Sequence, residues 1–173
     1  MPAYRSRFEM VRDLRREPPR RWSEQVGGIR WLPRLIDKTR CALQGTLGSY
    51  LFGQSPVDRA LLERLGLSHR DFAEIVAHAR DDDAVLAELR ARDPKGVARA
   101  RAWSDTLPQR SRIFLFMIDV DDGYVDGGWR LLKGPANVAS AALTWTMKRL
   151  WPSGAARTVR DASRANDANE QTR

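Results

Sequence analysis

Between Ser55 and Asp105 the chain is punctuated so often by helix starts and stops that only short helices, packed on one another, fit. SPVDRALLERLG opens with Ser55 as a cap, Pro56 in the first turn and Asp58 three residues past the cap, and it closes on Gly66. Proline suits a first turn, where its missing N–H has no helical partner, and glycine suits the left-handed residue after the last turn. SHRDFAEIVAHAR repeats the pattern, with Ser68 at the cap, Asp71 at capping-box spacing, and Phe72, Ile75, Val76 and Ala79 on the buried side. DDDAVLAELRARD begins with acids that complement the positive end of a helix dipole and ends with Arg90 and Arg92 near the negative end. A fourth helix from Pro94 to about Asp105 is expected to bury Val97 and Trp103. The spacing predicts an all-α class: one compact domain of about six helices over residues 22–123. A length of 173 residues suits one such core, and 42% hydrophobic with 30% charged residues is the balance of a folded chain.

The stretch from Gly27 to Asp58 interleaves charges, rings and glycines more tightly than any other and is the candidate site. A helix is expected from Pro33 to Gln44, with Leu32, Leu35, Ile36, Thr39, Ala42 and Leu43 on an apolar face and Arg34, Asp37, Lys38 and Cys41 on another. Asp37 is then placed to pair along the helix with Arg34, Arg40 or Cys41. Gly45, Gly48 and Gly53 turn the chain beyond it, beside the rings of Tyr50 and Phe52. Arg34, Asp37, Lys38, Arg40, Tyr50 and Asp58 are the candidate ligand-binding residues, a set suited to an anionic group. The competing structural reading has Asp37 paired with its helical neighbours, the rings in the core and Asp58 as the acid of a capping box. No catalytic constellation stands out. Cys41, His69 and His78 lack metal-ligand spacing, so no metal site and no cofactor is expected. His69 is expected to sit exposed in a first helical turn.

Outside these parts the sequence is plainer. Residues 1–21 form a basic arm whose residues 4–16 make a marginal helix, with Tyr4, Phe8, Val11 and Leu14 at helical steps, stopped by Glu17-Pro18-Pro19. The arm has no apolar run of a secretory signal, and a single cysteine fits a reducing compartment, so cytoplasmic residence is expected. Ile113–Ile118 is a continuous apolar run whose aromatic and β-branched content mildly favours a strand; surrounded by helices, with no second strand to pair with, it is expected instead to be a buried helix ending at Asp119. Asp119, Asp121, Asp122 and Asp126 surround Gly123, which arrives one position early for a calcium loop, and no glutamate closes the set; a solvated acidic turn is expected. Residues 124–152 carry a Trp-rich apolar helix, GPANVASAALTWTMKRLWP. Its uncharged part of about 13 residues is shorter than the roughly 20 a membrane span needs. No transmembrane segment is expected; a core or interface helix is, with weak membrane-surface contact by residues 135–151 as the alternative. Residues 153–173 read as a disordered tail.

The net charge of +8 is uneven: residues 1–60 hold 12 Lys/Arg against 6 Asp/Glu, so six of the eight surplus charges lie in the first third. Glu9, Asp13, Glu17 and Glu24 dilute this arm, and nucleic acid is not the expected partner.

Gly28, Leu32, Arg34, Ile36-Asp37-Lys38, Arg40, Gly45, Gly48, Tyr50 and Pro56-Val57-Asp58, followed by LLERLGL, FAEIVAHA, DDDAVLAEL and Trp103-Ser104, resemble a small bacterial family, the domain of unknown function 5069. The likeness covers roughly residues 12–123 and is most specific in the I-D-K-x-R helix and the glycine–tyrosine turn. Leu51-Phe52 and Ser55 stand where the family tends to carry an aromatic or His pair and a Cys, which argues against a thiol or metal role at the turn. Ser104 stands where Asn is frequent. The resemblance implies the helical fold and the place of the site, and it adds no reaction. Two functions are therefore carried forward. One is a non-catalytic helical binding or interaction module whose Arg34–Asp58 region meets an anionic small molecule or a protein partner. The other is an enzyme acting on a small anionic substrate, with Arg34, Lys38 and Arg40 stabilising charge, Asp37 or Asp58 as general base and Tyr50 as proton donor.

Overall fold

A computed structural model describes residues 12–125. The chain enters along a segment without regular structure, then turns through a small hairpin, β1 (Gln25–Val26) and β2 (Ile29–Arg30), paired antiparallel with Val26 opposite Ile29. Gly27 and Gly28 have φ of 59° and 79°, the left-handed pair that a two-residue turn needs and that only glycine adopts without strain. Seven helices follow among the described residues: α1 (Leu32–Gln44), α2 (Pro56–Leu65), α3 (His69–His78), α4 (Asp82–Arg92), α5 (Pro94–Asp105), α6 (Leu107–Arg110) and α7 (Arg112–Asp121). The all-α class stands, with the hairpin as its one β feature among those residues. No helix among them is long and apolar enough to cross a membrane.

Local chemistry sets the helix ends. Gly45 and Gly66 close α1 and α2 in the left-handed conformation. Ser68 and Asp71 form the expected capping box, each side chain accepting from the other's backbone N–H. Asp81 caps α4 by accepting from Ala84 N at 2.8 Å. Packing then joins the pieces: α1 lies on α3 and α2 on α5, while α5 also receives β2 and α4. Ile29, Trp31, Leu32, Leu35 and Ile36 enter the core with Leu61, Leu62, Phe72, Val76 and Val85. Ser104, fully buried on α5, accepts from Arg30 N and donates to Arg101 O, which ties the hairpin edge to the helix behind it.

Several expectations are corrected. Ser55 caps α2 by position but its side chain accepts no capping hydrogen bond, and Asp58 points elsewhere, so the predicted capping box of that helix is not made. The run Ile113–Ile118 is helical but not buried as a whole: Ile113 is 78% exposed, Leu115 is buried, and the helix continues to Asp121. A continuous apolar run on a helix points to all sides, and the core can receive only one of them. Of the helix expected over residues 4–16, the described part, 12–16, is a turn, with Arg16 N donating to Asp13 O. Residues 1–11, the Trp-rich helix expected beyond Val125, and the disordered termini expected at both ends lie outside the described residues.

The entry segment crosses the end of α1. Leu14 is buried, Cys41 Sγ donates to Arg12 O at 2.8 Å, and a Cβ on Gly48 would stand 2.7 Å from Leu14 O. Gly48 and Gly45 both have positive φ, 63° and 75°, but among the described residues nothing lies within 4 Å of a Cβ at Gly45. Gly48→Ala is therefore expected to destabilise the fold by about 1–3 kcal/mol and by more than Gly45→Ala, which meets backbone strain alone; urea unfolding of the two variants measures the difference.

Candidate functional site

The polar side of α1 is buried along almost its whole length. Leu32 to Thr39 and Cys41 are all enclosed, Arg34, Asp37 and Lys38 included. A helical period tells which residues share a face; here the face expected to be polar and open is closed by other segments of the chain.

Lys38 and Asp58 lie at the centre. Lys38 Nζ stands 2.6 Å from both oxygens of Asp58, with side chains 3% and 0% exposed. The same carboxylate accepts from the indole N–H of Trp31 at 2.8 Å and from Gly53 N at 3.3 Å. Burial is the first cause that lowers the Lys38 amine from its ordinary value; Asp58 pulls the other way, and the neighbouring Arg34 charge adds to the lowering. Trp31, the cap position of α1, has φ of 70°, a strained conformation for a bulky residue. Its ring lies under both cations of α1, 5.3 Å from the Arg34 guanidinium carbon and 5.5 Å from Lys38 Nζ.

Arg34 faces the end of the described chain. Its Nη1 donates to Asp122 Oδ2 at 2.5 Å, and Tyr50 OH donates to Asp122 Oδ1 at 2.8 Å. The Asp122 side chain is 1% exposed and that of Arg34 5%. Arg34 Nε is buried and has no hydrogen-bond partner among the described residues. Burial, then the Asp122 carboxylate, raises the Tyr50 hydroxyl above its ordinary pKa, so it remains a donor. Nearby, His69 packs edge-on against Phe52 at 6.1 Å and so close to Gly53 that a Cβ there would collide with it. Its Nε2 is buried without a hydrogen-bond partner among the described residues, and burial lowers its pKa. The exposed His69 expected at a helix start is therefore corrected.

The candidate residues fall into two neighbouring groups. Arg34, Lys38, Tyr50 and Asp58 meet as described. Asp37 and Arg40 belong to an ion-pair network with the entry segment and α4: Arg20 donates to Asp37 from its backbone N and its guanidinium and reaches Asp82 at 2.5 Å, while Arg40 pairs with the other Asp82 oxygen at 2.8 Å. Asp37 was expected to pair within its helix; its partner is Arg20, 17 residues earlier. Asp119 and Asp122, expected in a solvated turn, are corrected too: both are buried ion-pair acceptors, Asp119 held by Arg21 at 2.7 Å. Trp31, Arg20, Arg21, Asp119 and Asp122 escaped the sequence reading because their roles depend on contacts between distant segments. The one available signal was the cluster of acids at the end of α7, whose number exceeds what a turn requires. Among the described residues no group of three His, Cys, Asp or Glu side chains is placed to hold a metal ion. Cys41 is buried and its thiol pKa is raised by that burial, so it is no nucleophile in this state.

The family model described as domain of unknown function (DUF5069) matches residues 16–113, more than half of the chain, and the chain belongs to that family. None of the curated proteins matches it.

Removing one partner of the buried pair strands the other. Lys38→Met is expected to cost about 3–5 kcal/mol, and Lys38→Met with Asp58→Leu is expected to recover much of it, measured by chemical unfolding of the singles and the double. In the folded state His69 binds a proton less readily than the free side chain with its pKa of 6.5. The unfolded chain thus takes up that proton first as pH falls, and stability declines below that value. His69→Gln is expected to flatten the dependence of the urea midpoint between about pH 7 and about pH 5.

Proposed function

From a family whose description assigns no activity, and from the geometry of the cluster, we propose that the protein is a non-catalytic helical binding module and that Arg34, Lys38 and Tyr50, with Asp58 setting Lys38, seat an anionic group. One observation carries this reading: the Arg34 side chain is 5% exposed and holds a buried Nε–H with no acceptor among the described residues, between the rings of Trp31 and Tyr50. A guanidinium offers five N–H donors in a fixed fork, and a buried donor left unmade costs about 1–3 kcal/mol. Where only a filled core is wanted, apolar side chains serve at lower cost than buried charges. The strained Trp31 beneath both cations supports the reading, since backbone strain persists where the surroundings hold it and clusters at ligand sites.

The enzymatic alternative uses the same cluster, and its support is Lys38, whose burial favours the neutral amine that could act as a base. Asp37 is poorly suited to the base role given to it, because Arg20 holds both its oxygens. Asp37 and Arg40 thus brace the site from the entry-segment side rather than line it. The first-third arginines also fit a small anion better than nucleic acid: Arg20, Arg21, Arg34 and Arg40 are all turned onto carboxylates of the chain itself.

Native mass spectrometry of protein purified from its host, followed by thermal unfolding with millimolar succinate and inorganic phosphate, tests the proposal. A saturable rise in melting temperature that is abolished in the folded Tyr50→Phe variant is expected. A bare polypeptide mass together with no saturable shift from either anion would overturn it, and conversion of the bound molecule would move the protein to the enzymatic alternative.

A further inference from the structure

We propose that Asp122 is an internal stand-in for the ligand: its carboxylate occupies the Arg34–Tyr50 seat, and the ligand is a small carboxylate that displaces it together with the end of α7. The inference rests on the anion-seat reading and adds the ligand class and the means of closure.

The fit of a carboxylate is seen directly. One Asp122 oxygen takes the Arg34 Nη1 hydrogen at 2.5 Å and the other takes the Tyr50 hydroxyl at 2.8 Å, so two donors serve two oxygens. Arg34 Nε, buried beside them, is left over. A single nitrogen of the fork thus does the binding, where a carboxylate free to approach on its own can take two parallel N–H bonds. The side chain of a residue fixed on a helix end lacks that freedom.

The groups of the cluster are not held alike. Arg34 and Lys38 are on α1, deep in the core, and Asp58 is on α2, locked by Lys38, Trp31 and Gly53. Asp122 alone comes from α7, 88 residues from Arg34, at the position that ends the helix. The chain leaves α7 through Gly123, with φ of 79° and, among the described residues, nothing within 4 Å of a Cβ there. Leu115 and Val120 are buried, Phe114 and Ile118 pack partly buried against the core and Ile113 faces solvent, while the end of the helix is held by polar contacts as well: Asp119 on the half-exposed Arg21, and Tyr124 OH donating to Pro19 O at 2.9 Å. Polar contacts to water-accessible groups exchange at small net cost. Where the binding-competent state is a minor fraction of the whole, apparent affinity is reduced by that fraction.

Succinate binding by calorimetry to wild type, Asp122→Asn and Asp122→Ala tests this, with hydrogen exchange followed over residues 112–125. Both variants are expected to bind succinate about tenfold or more tightly than wild type, and succinate is expected to speed exchange in the last turn of α7 of wild type. If Asp122→Ala proves unstable, Asp122→Asn and the exchange experiment on wild type decide alone. Wild-type binding that is unchanged in Asp122→Asn, with α7 protected or unaffected, overturns the displacement and leaves the seat standing. Preference for inorganic phosphate over succinate overturns the ligand class. Absence of binding in wild type and variants alike removes the seat itself, and this inference with it.

Discussion

The contact between Lys38 and Asp58 is the constraint on which the centre of the molecule depends. One carboxylate collects an ammonium, an indole N–H and a backbone N–H, from α1, the residue before α1 and the glycine turn. Because it is fully buried, each of those donors must arrive in place or leave a charge without compensation. Trp31 takes a left-handed conformation to deliver its indole, and the chain before α2 turns at Gly53, with φ of 77° and no room for a side chain against His69. Asp58 is thereby drawn away from the cap it would otherwise have formed with Ser55. A single long-range electrostatic demand thus overrides a local helix-start preference worth about 1 kcal/mol.

What the sequence revealed of the fold was what is decided locally. The stops at Gly45 and Gly66, the capping box of Ser68 and Asp71, and the helix from Pro94 to Asp105 rest on preferences of residues a few positions apart, and they appear where those preferences put them. The hairpin at Gly27-Gly28 went unread because two-residue strands show no alternation. The polar side of α1 was legible as a set of residues sharing a face, but its burial was not. Asp37 finds Arg20 17 residues away, and Arg34 finds Asp122 88 residues away. No periodicity encodes a partner at such distances. Those ion pairs are also the features that decide whether the candidate residues make one site or two.

Charge looks different once folded. The surplus of basic residues in the first third suggests an arm reaching outward, yet Arg20, Arg21, Arg34, Lys38 and Arg40 are directed onto Asp37, Asp82, Asp119, Asp122 and Asp58. Most of these acids lie later in the chain, so the basic start and the acids of α4 and α7 are complementary surfaces that fold onto each other. A segment held in this way is sensitive to ionic strength where its pairs meet water, as at Arg21, and insensitive where they do not, as at Arg34.

That difference bears on what the cluster is for. Had the buried charges served only to fix the entry segment and the helix ends, half-exposed pairs such as Arg21 with Asp119 would suffice, since they specify position with little desolvation. Arg34 and Lys38 are instead sunk side by side under one ring, and one of them keeps an unused donor beside a carboxylate already in place. Burying a cation strengthens its attraction for whichever anion reaches it and makes an empty site costly. A seat of this kind is therefore always filled, and the chain's own Asp122 fills it at the end of a helix held partly by polar contacts. On the proposed reading, the internal salt bridge and the anion site are the same set of atoms, distinguished only by which carboxylate they hold.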